Sequence, residues 1–353
     1  MSELRPPPRP LPGAPARVRV PAAASGELVS AAPLADAPGN PVLVRPVGDG
    51  VDLRQWLAAN RERVEEWLRE RGGVLFRGFD VGSPDDLTAA FAALGYGLLD
   101  YVNRSTPRTR VDGKVFTTTE YPADQRIPQH NEMSYADRWP RRIAFLAVTP
   151  AATQGETPLA DSRAVYESIP AEVRERFERD GVMYVRNMGL GLDLHWEEVF
   201  QTSDRARVES FCAEHGIECR WMGDEWLQTR QVRPARLEHA ETGARVWFNQ
   251  AHLFHPSSLG AAAEAALRGS LGERIPRDVL FGDGSPIDAE SLGAVRAAYD
   301  ARMIAFPWQR GDLLILDNEL VSHGRAAFTG ERRVLAAMGN PGGAAETLET
   351  IPA

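Results

Sequence analysis

The sequence contains almost no lysine. Of its 40 lysine and arginine residues only Lys114 is a lysine, and because a valine follows it, the chain has no G-x-x-x-x-G-K-[ST] phosphate loop. A Schiff-base mechanism would have to depend on this single amine. The scarcity of lysine excludes these kinds of chemistry but assigns none, because a GC-rich coding bias produces the same excess of arginine.

Cysteine and long apolar runs are also scarce, and the 49 acidic residues outnumber the 40 basic ones. Cys212 and Cys219 have neither a C-x-x-C nor a zinc-finger spacing, so we predict two reduced thiols in a cytoplasmic protein. No stretch approaches the roughly 18 apolar residues of a membrane-spanning helix, and the first residues lack the pattern of a secretory signal. The formal net charge of -9 argues against nucleic acid. We therefore expect neither a membrane nor a nucleic acid as a partner.

The rest of the composition is typical of a folded globular protein, with 43% hydrophobic and 25% charged residues. Residues 1–40 are the exception, because they are rich in proline, alanine and glycine. Such a segment cannot bury enough apolar surface to offset its ordering entropy, and we predict an extended tail there. Residues 41–353 are predicted to form a single domain.

Local patterns predict a mainly β domain with α-helical insertions. Apolar residues recur at helical spacing over residues 51–71 until two glycines end the pattern. Ser83 begins a second helix, and further helices are predicted at 163–179, 203–214 and 261–271. Strands are predicted at 74–79, 115–119, 143–148, 182–185, 245–249, 313–316 and 334–338. Their irregular spacing favours a β-sandwich core over a doubly wound sheet.

One short motif has the pattern of a metal site. His130 and Glu132 are two residues apart, and in an extended segment such residues point to the same side. The distant His323 supplies a second imidazole. Two histidines and one carboxylate, with three coordination positions left open, are the ligands of non-haem Fe(II) oxygenases. A catalytic zinc ion would use the same residues, so the motif alone leaves both metals open.

Two more residues predict a carboxylate-binding group beside the metal. Arg333 follows His323 by ten positions in a predicted strand, and a guanidinium can hold a carboxylate through two hydrogen bonds. Thr157 follows His130 by 27 positions in a Gly-Glu-Thr sequence and could offer its hydroxyl to the same carboxylate. The joint occurrence of these residues favours the oxygenase over the zinc enzyme.

With these residues in place, the sequence resembles the taurine dioxygenase-like (TauD/TfdA) superfamily of Fe(II)/2-oxoglutarate-dependent oxygenases. The resemblance extends over roughly residues 60–340. The matching segments are GVLFRGF at 73–79, HNEMSY at 130–135, GET at 155–157, WQRGD at 308–312, DN at 317–318, HGR at 323–325 and Arg333.

The resemblance implies a fold, a set of cofactors and a site. The fold would be a double-stranded β-helix, or jelly roll, flanked by helices. His130, Glu132 and His323 would bind Fe(II), and Thr157 and Arg333 would hold the distal carboxylate of 2-oxoglutarate. With O2, such an enzyme oxidises an unactivated C–H bond and releases succinate and CO2.

Two departures from the family pattern limit the expected type of reaction and the expected class of substrate. Many relatives have aspartate where this chain has Glu132, and glutamate is usual in the branch that oxidises amino acids and serves nonribosomal-peptide pathways. Halogenating relatives replace this carboxylate with a small residue, so its presence favours hydroxylation. Taurine-type enzymes hold the sulfonate with an arginine where this chain has Ala337. A taurine-like sulfonate is therefore not expected.

The expected substrate is an amino acid or a carrier-protein-bound aminoacyl group in natural-product biosynthesis. The candidate substrate-binding residues are Asn103, Tyr121, Met133, Ser134, Phe248, Asn249 and Arg325. Arg325 could instead face 2-oxoglutarate or support the fold. The basic residues Arg138, Arg141 and Arg142 could dock an acidic carrier protein or form a solvated loop.

The other histidines are expected to be less specific. His195 and His239 are predicted at the surface and His215 at a helix end. His252 and His255 are predicted to line the pocket or support the fold.

Alternative functions remain open in the sequence. Desaturation or epoxidation would use the same iron site, and the loss of two hydrogens would distinguish desaturation from hydroxylation by product mass. A zinc-dependent hydrolase would have no use for Arg333, and a non-catalytic jelly-roll binding module would not need the three metal ligands.

Overall fold

Two β-sheets face each other at the centre of the fold. A computed structural model describes residues 28–35, 39–100, 109–118 and 121–343. The larger sheet contains, in spatial order, β1 (Val29–Pro33), β2 (Val42–Pro46), β3 (Gly73–Phe76), β16 (Leu313–Asp317), β7 (Arg138–Thr149), β19 (Arg333–Gly343), β5 (Val115–Thr117) and β4 (Arg110–Asp112). Only the β2–β3 pair within this sheet is parallel.

The smaller central sheet consists of β6 (Ile127–His130), β17 (Val321–Arg325) and β9 (Leu159–Asp161). A separate four-stranded sheet contains β11 (Glu218–Trp221), β12 (Leu227–Arg233), β10 (Val182–Met188) and β15 (Arg277–Phe281). Two short antiparallel pairs are formed by β13 (Arg236–Glu238) with β14 (Arg245–Trp247) and by β18 (Phe328–Thr329) with β8 (Thr153–Gln154).

Helices lie outside the central sheets. They are α1 (Leu53–Ala59), α2 (Arg61–Arg71), α3 (Pro84–Leu94), α4 (Ser162–Ser168), α5 (Ala171–Asp180), α6 (Trp196–Phe200), α7 (Arg205–Glu214), α8 (Ala251–Phe254), α9 (Ala261–Leu271) and α10 (Ala289–Arg302). Short 3-10 turns follow at Pro256–Leu259 and Gly272–Arg274. Among the described residues, none of these helices has the length and apolarity needed to cross a membrane.

The alternation of side chains along β16 explains how the larger sheet separates two hydrophobic cores. Leu313 and Ile315 pack against helices α1 to α3, whereas Leu314 and Leu316 point toward the smaller sheet. Successive strand residues face opposite sides, and fully burying one such side chain contributes roughly 1.5–3 kcal/mol. Facing antiparallel sheets with helices packed outside form the predicted jelly-roll core.

Local breaks divide two helices that the sequence pattern predicted as continuous. The segment 51–71 forms α1 and α2, because Asn60 interrupts it and its side chain donates to the Trp56 carbonyl at 2.8 Å. Pro170 likewise separates α4 from α5 within 163–179. The predicted stop at Gly72 is confirmed by a φ of 72°. Helix α10 had not been predicted.

The N-terminal boundary also differs from the prediction. Residues 1–27 and 36–38 of the predicted 1–40 tail lie outside the described residues. Val29–Pro33, however, forms β1 and pairs with β2 at the edge of the larger sheet. A strand of the main sheet therefore lies within the segment that composition assigned to a tail. The two cysteines are free thiols, as predicted.

Candidate metal centre and cosubstrate site

His130 and His323 lie opposite each other on neighbouring strands. They are register partners in the antiparallel pairing of β6 with β17, and their ring centroids are 4.7 Å apart. β17 is the central strand of its sheet, so His323 is only 4% exposed. The sheet register thus brings together two residues that are remote in the sequence.

A turn, rather than an extended strand, brings Glu132 to the two histidines. β6 ends at His130, and residues 132–135 form a turn in which Met133 has a φ of 57°. Its Oε2 lies 3.7 Å from His323 Nε2, and the ligand atoms of all three residues lie within 4.8 Å of one another. The three predicted ligands do meet, but the extended geometry used to predict this is wrong. We call His130, Glu132 and His323 the ligand cluster.

The hydrogen bonds of the two imidazoles fit a bound metal ion. His130 Nδ1 donates to the Pro128 carbonyl at 2.9 Å, which leaves Nε2 as the nitrogen with a lone pair. Both ring nitrogens of His323 are buried and have no hydrogen-bond partner among the described residues. Buried polar atoms without partners are rare in folded proteins. A divalent cation bound to His323 Nε2 would satisfy this buried nitrogen beside the Glu132 carboxylate, and two histidines with one carboxylate suit Fe(II).

A second group, His239, Asp317 and Glu319, also has ligand atoms within 4.8 Å of one another. His239, predicted at the surface, is 0% exposed, so that prediction is wrong. The reason is tertiary, since its Nε2 lies 3.3 Å from Asp317 Oδ2. We call these three residues together with Arg142 the charge cluster.

Arg142 supplies the positive charge of the charge cluster. Its Nη1 donates to Asp317 Oδ2 at 2.6 Å and its Nη2 to Glu65 Oε2 at 2.7 Å. Burial alone would raise the pKa of Asp317, but Arg142 and then His239 hold that pKa below its usual value. Arg142 therefore already pairs with Asp317, and Trp139 Nε1 donates to Glu319 Oε1 at 2.9 Å, so both carboxylates of this cluster have partners within the protein.

The predicted docking cluster is largely neutralised. Arg142 is only 3% exposed, so its prediction as a docking residue is wrong. Arg138 forms an ion pair with Glu214 at 3.1 Å, and Arg141 forms one with Glu241 at 2.8 Å. These pairs leave little unbalanced positive charge for an acidic partner.

The arginine that faces the Gly-Glu-Thr segment is Arg332 rather than Arg333. Arg333, the predicted cosubstrate residue, is exposed and lies at a register irregularity of β19. Arg332 donates through Nε to the Gly155 carbonyl at 2.9 Å. Burial, and then the neighbouring Arg325, lowers the pKa of Arg332 to about 10. The nearby Glu156 acts in the opposite direction, but it does not offset these two effects.

Thr157 is buried next to this position, at 3% exposure. Trp308 Nε1 donates to its Oγ1 at 3.2 Å. Because the hydroxyl oxygen accepts this bond, its own hydrogen can be donated to a carboxylate.

Arg325 holds a segment of the chain near the same position. It donates to the carbonyls of Tyr121 at 2.9 Å and Gln125 at 2.7 Å, and also to that of Pro122. Burial lowers its pKa. Tyr121 itself is 42% exposed. Of the predicted substrate residues, Asn103 lies outside the described residues.

The other predicted substrate residues are buried, and most of their polar groups have local partners. Met133 and Ser134 belong to the turn after Glu132, and Ser134 Oγ donates to a carbonyl of that turn at 3.0 Å. Phe248 packs against Trp139 with ring centroids 5.0 Å apart. Asn249 donates to one backbone carbonyl at 2.7 Å and accepts from one backbone N–H at 3.0 Å.

Gln250 and His252 support the strand of His130 directly, the second of the two roles predicted for His252. Gln250 Nε2 donates to the Asn131 carbonyl at 2.8 Å, and His252 Nε2 donates to the Gln129 carbonyl at 2.9 Å. Burial lowers the pKa of His252 to about 3, so it stays a neutral donor. These bonds hold the residues on both sides of His130.

Comparison with known protein families agrees with this geometry. The model of the taurine catabolism dioxygenase TauD, TfdA family matches residues 33–338. The dapdiamide synthesis protein DdaC of Enterobacter agglomerans is 40% identical over 279 residues, which cover 79% of this chain and 85% of DdaC. A clavaminate synthase-like protein of Arabidopsis thaliana is 34% identical over 296 residues, covering 80% of this chain and 86% of that protein.

Solved structures share the fold at low sequence identity. PvcB from Pseudomonas aeruginosa superposes with a TM-score of 0.54 at 17% identity, covering 88% of this chain and 91% of PvcB. A taurine dioxygenase from Burkholderia xenovorans gives a TM-score of 0.51 at 17% identity, with coverages of 91% and 93%. These similarities confirm the jelly-roll fold.

Proposed function

The chain belongs to the taurine catabolism dioxygenase TauD, TfdA family, and from this membership we propose its reaction and its class of substrate. The enzyme is a non-haem dioxygenase that depends on Fe(II), 2-oxoglutarate and O2. We propose that it hydroxylates an unactivated C–H bond of an amino acid, either free or bound to a carrier protein, in natural-product biosynthesis. Family membership rules out the zinc hydrolase and the non-catalytic binding module.

We assign iron to the ligand cluster. The observation that carries this assignment is the buried His323 imidazole, whose nitrogens lack partners among the described residues while Nε2 lies 3.7 Å from Glu132 Oε2. His130 and His323 would bind through Nε2 and Glu132 through its carboxylate. Bound Fe(II), with 2-oxoglutarate and O2, supplies the oxidation of the C–H bond with release of succinate and CO2. The protein holds the reactants in place and keeps water out.

We propose that Arg332 and Thr157 hold the distal carboxylate of 2-oxoglutarate, in place of the predicted pair of Arg333 and Thr157. Arg332 is partly buried, and its hydrogen-bond acceptors among the described residues are neutral oxygens of Gly155 and Thr118, with the charge of Glu156 nearby. An anionic carboxylate would compensate the charge that the nearby Arg325 repels. Charge-assisted hydrogen bonds of this kind are short and strong.

Adjacent arginines provide a matched test of this assignment. Arg332→Ala should raise the KM for 2-oxoglutarate roughly 10–100-fold, because a hydrogen bond to a charged group contributes about 1.5–3 kcal/mol. Arg333→Ala should change it less than about threefold, as expected for an exposed side chain. Steady-state succinate formation measures both values. If Arg333→Ala has the larger effect, the sequence-based assignment of Arg333 is correct and ours is wrong.

The proposed substrate class is supported by a relative and by a cleft. The relative of 40% identity takes part in dapdiamide synthesis. A cleft of about 490 Å³, counting space open to solvent, is lined by Tyr135, Tyr184, Phe254 and Arg277 among others. Tyr135 comes from the same turn as Glu132. The aromatic walls suit the apolar part of an aminoacyl group, whereas Arg277 already forms an ion pair with Asp193 at 2.6 Å.

Reconstitution tests the substrate. The enzyme is loaded anaerobically with Fe(II) and 2-oxoglutarate and then exposed to O2 with a panel of free amino acids and their carrier-bound thioesters. Succinate release above the uncoupled background, with a product heavier by one oxygen atom, supports hydroxylation. A product lighter by two hydrogens indicates desaturation. Oxygen added to an alkene substrate indicates epoxidation. No stimulation by any member of the panel contradicts the proposed substrate class.

A further inference from the structure

The side-chain amide of Asn318 pairs with the backbone of Glu132 as a neighbouring strand would. Its Oδ1 accepts a hydrogen bond from Glu132 N–H at 2.7 Å, and its Nδ2 donates to the Glu132 carbonyl at 2.9 Å. Nδ2 also donates to the Pro140 carbonyl at 2.8 Å. Asn318 is 0% exposed, so these bonds form away from water. One amide therefore satisfies both backbone groups of a residue assigned to the metal.

The residue before Glu132 bonds back to Asn318. Asn131 Nδ2 donates to the Asn318 carbonyl at 2.6 Å and to Ser162 Oγ at 3.1 Å. Two peptide units of the ligand turn are thus tied to the same residue. This arrangement leaves little freedom for the turn to rotate.

Glu132 needs such support more than the two histidines do. His130 and His323 lie in paired strands, whose ladder hydrogen bonds hold their backbones. Glu132 lies beyond the end of β6, and the next residue, Met133, has a φ of 57°, which is uncommon for a residue with a side chain. The amide of Asn318 takes the place of the missing strand partner.

Asn318 also lies on the segment that leads into β17. Asp317 Oδ1 accepts from the N–H groups of Glu319 at 3.0 Å and Leu320 at 3.2 Å, and this turn enters the strand of His323. The charge cluster holds Asp317 in turn, through Arg142 at 2.6 Å. Asn318 therefore connects the segment of one ligand to that of another.

We propose that Asn318 is a positioning residue, which fixes the direction of the Glu132 carboxylate for metal binding. This proposal rests on the assignment of iron to the ligand cluster. Residues that orient metal ligands typically change metal affinity by roughly 10–100-fold when they are mutated. Asn318→Ala is therefore expected to weaken metal binding by at least roughly tenfold and to change the absorption spectrum of bound Co(II).

Asn187 is a matched control on another sheet. It is 1% exposed, donates to the carbonyls of Glu273 and Ile275, and accepts from Trp226 and Gln228. Asn187→Ala removes four side-chain hydrogen bonds, against three in Asn318→Ala, but touches no residue of the ligand cluster. We expect comparable losses of thermal stability in the two variants, with Co(II) affinity and spectrum unchanged only in Asn187→Ala.

Titration of the metal-free full-length chain with Co(II) measures affinity, stoichiometry and spectrum without turnover. Wild-type affinity and spectrum in Asn318→Ala, or an equal loss in Asn187→Ala, would overturn the proposal. Asn318→Asp keeps the shape and the acceptor but loses the donor to two carbonyls, and it is judged by the same criteria if the alanine variant does not fold. If neither variant folds, Asn318 serves folding and the positioning role is rejected.

Co(II) binding by wild-type protein and by His323→Ala distinguishes a failure of this proposal from a failure of the iron assignment on which it rests. If wild-type protein binds no Co(II), or if His323→Ala binds it as wild type does, the ligand cluster itself is misassigned. If wild-type protein binds Co(II) through His323 and Asn318→Ala behaves as wild type, only the positioning proposal fails.

Discussion

The ligand cluster and the charge cluster contain the same kinds of side chain, and in each the candidate ligand atoms lie within 4.8 Å of one another. They differ in how their polar groups are satisfied. The charge cluster contains a guanidinium, with Arg142 Nη1 at 2.6 Å from Asp317 Oδ2. The ligand cluster contains the His323 imidazole, whose two nitrogens have no hydrogen-bond partner among the described residues. Proximity of ligand-type residues therefore does not by itself define a metal site. The guanidinium of Arg142 distinguishes the charge cluster from the ligand cluster.

The two clusters are also connected. Asp317 of the charge cluster precedes Asn318, whose amide holds the backbone of Glu132. The buried ion pair of Arg142 with Asp317 thus holds the segment whose next residue, Asn318, bonds to the backbone of Glu132. A buried ion pair is costly to break but adds little net stability. We therefore interpret its main effect here as fixing the position of Asp317 and of the adjacent Asn318.

The largest expected difference between the clusters is in metal binding and turnover. His323→Ala should lower 2-oxoglutarate-dependent succinate formation by more than about 100-fold, beyond the usual loss when only an orienting residue is changed. His239→Ala should keep the wild-type metal stoichiometry, because both carboxylates of its cluster already have partners within the protein, Arg142 for Asp317 and Trp139 for Glu319. Inductively coupled plasma analysis and succinate assays measure the two effects. Loss of one metal equivalent in His239→Ala would show that the charge cluster also binds a metal ion.

The next effect is on stability and concerns the cation of the charge cluster. Arg142→Met should lower the free energy of unfolding by about 3–5 kcal/mol, because it leaves the carboxylate of Asp317 buried without its cation. Arg141→Met is the control, since Arg141 is 26% exposed and its ion pairs should contribute at most about 1 kcal/mol. Guanidinium chloride unfolding gives both values. Equal losses would mean that Arg142 acts through packing rather than charge.

The smallest expected effect is a pH dependence of the charge cluster. The pKa of Asp317 is lowered from its ordinary value of 3.8. A carboxyl with a lower pKa in the folded state stabilises the fold above its unfolded pKa, and this stability is lost as the pH falls through the folded pKa. The unfolding free energy of wild-type protein should therefore drop more steeply below pH ~4 than that of Asp317→Asn. Parallel curves for the two proteins would contradict this.

Local sequence patterns predicted much of the fold and the candidate ligands. Apolar runs marked the central strands, Ser83 marked the start of α3, and Gly72 marked the end of α2. The His-x-Glu motif and the remote His323 identified the three residues that the structure brings together. These signals succeed because propensity, caps and glycine conformations act over a few residues.

Three details depended on contacts between remote segments. The convergence of Glu132 with the histidines needs a turn held by Asn318, which is 186 residues away in the sequence. The burial of His239 requires Asp317, 78 residues further along. The choice between Arg332 and Arg333 depends on an irregularity in the pairing of β19 with β7. A one-residue shift in a strand reverses the face on which each side chain lies.

The sequence by itself determined the kinds of residue available for chemistry and the positions of most strands and helices, because these follow from local hydrophobic periodicity and capping. The tertiary structure decided which of two similar clusters contains a guanidinium and which of two adjacent arginines faces the Gly-Glu-Thr segment. Both decisions depend on burial and charge balance. Those are set by side chains that meet only after the sheets have formed, and no short stretch of sequence records them.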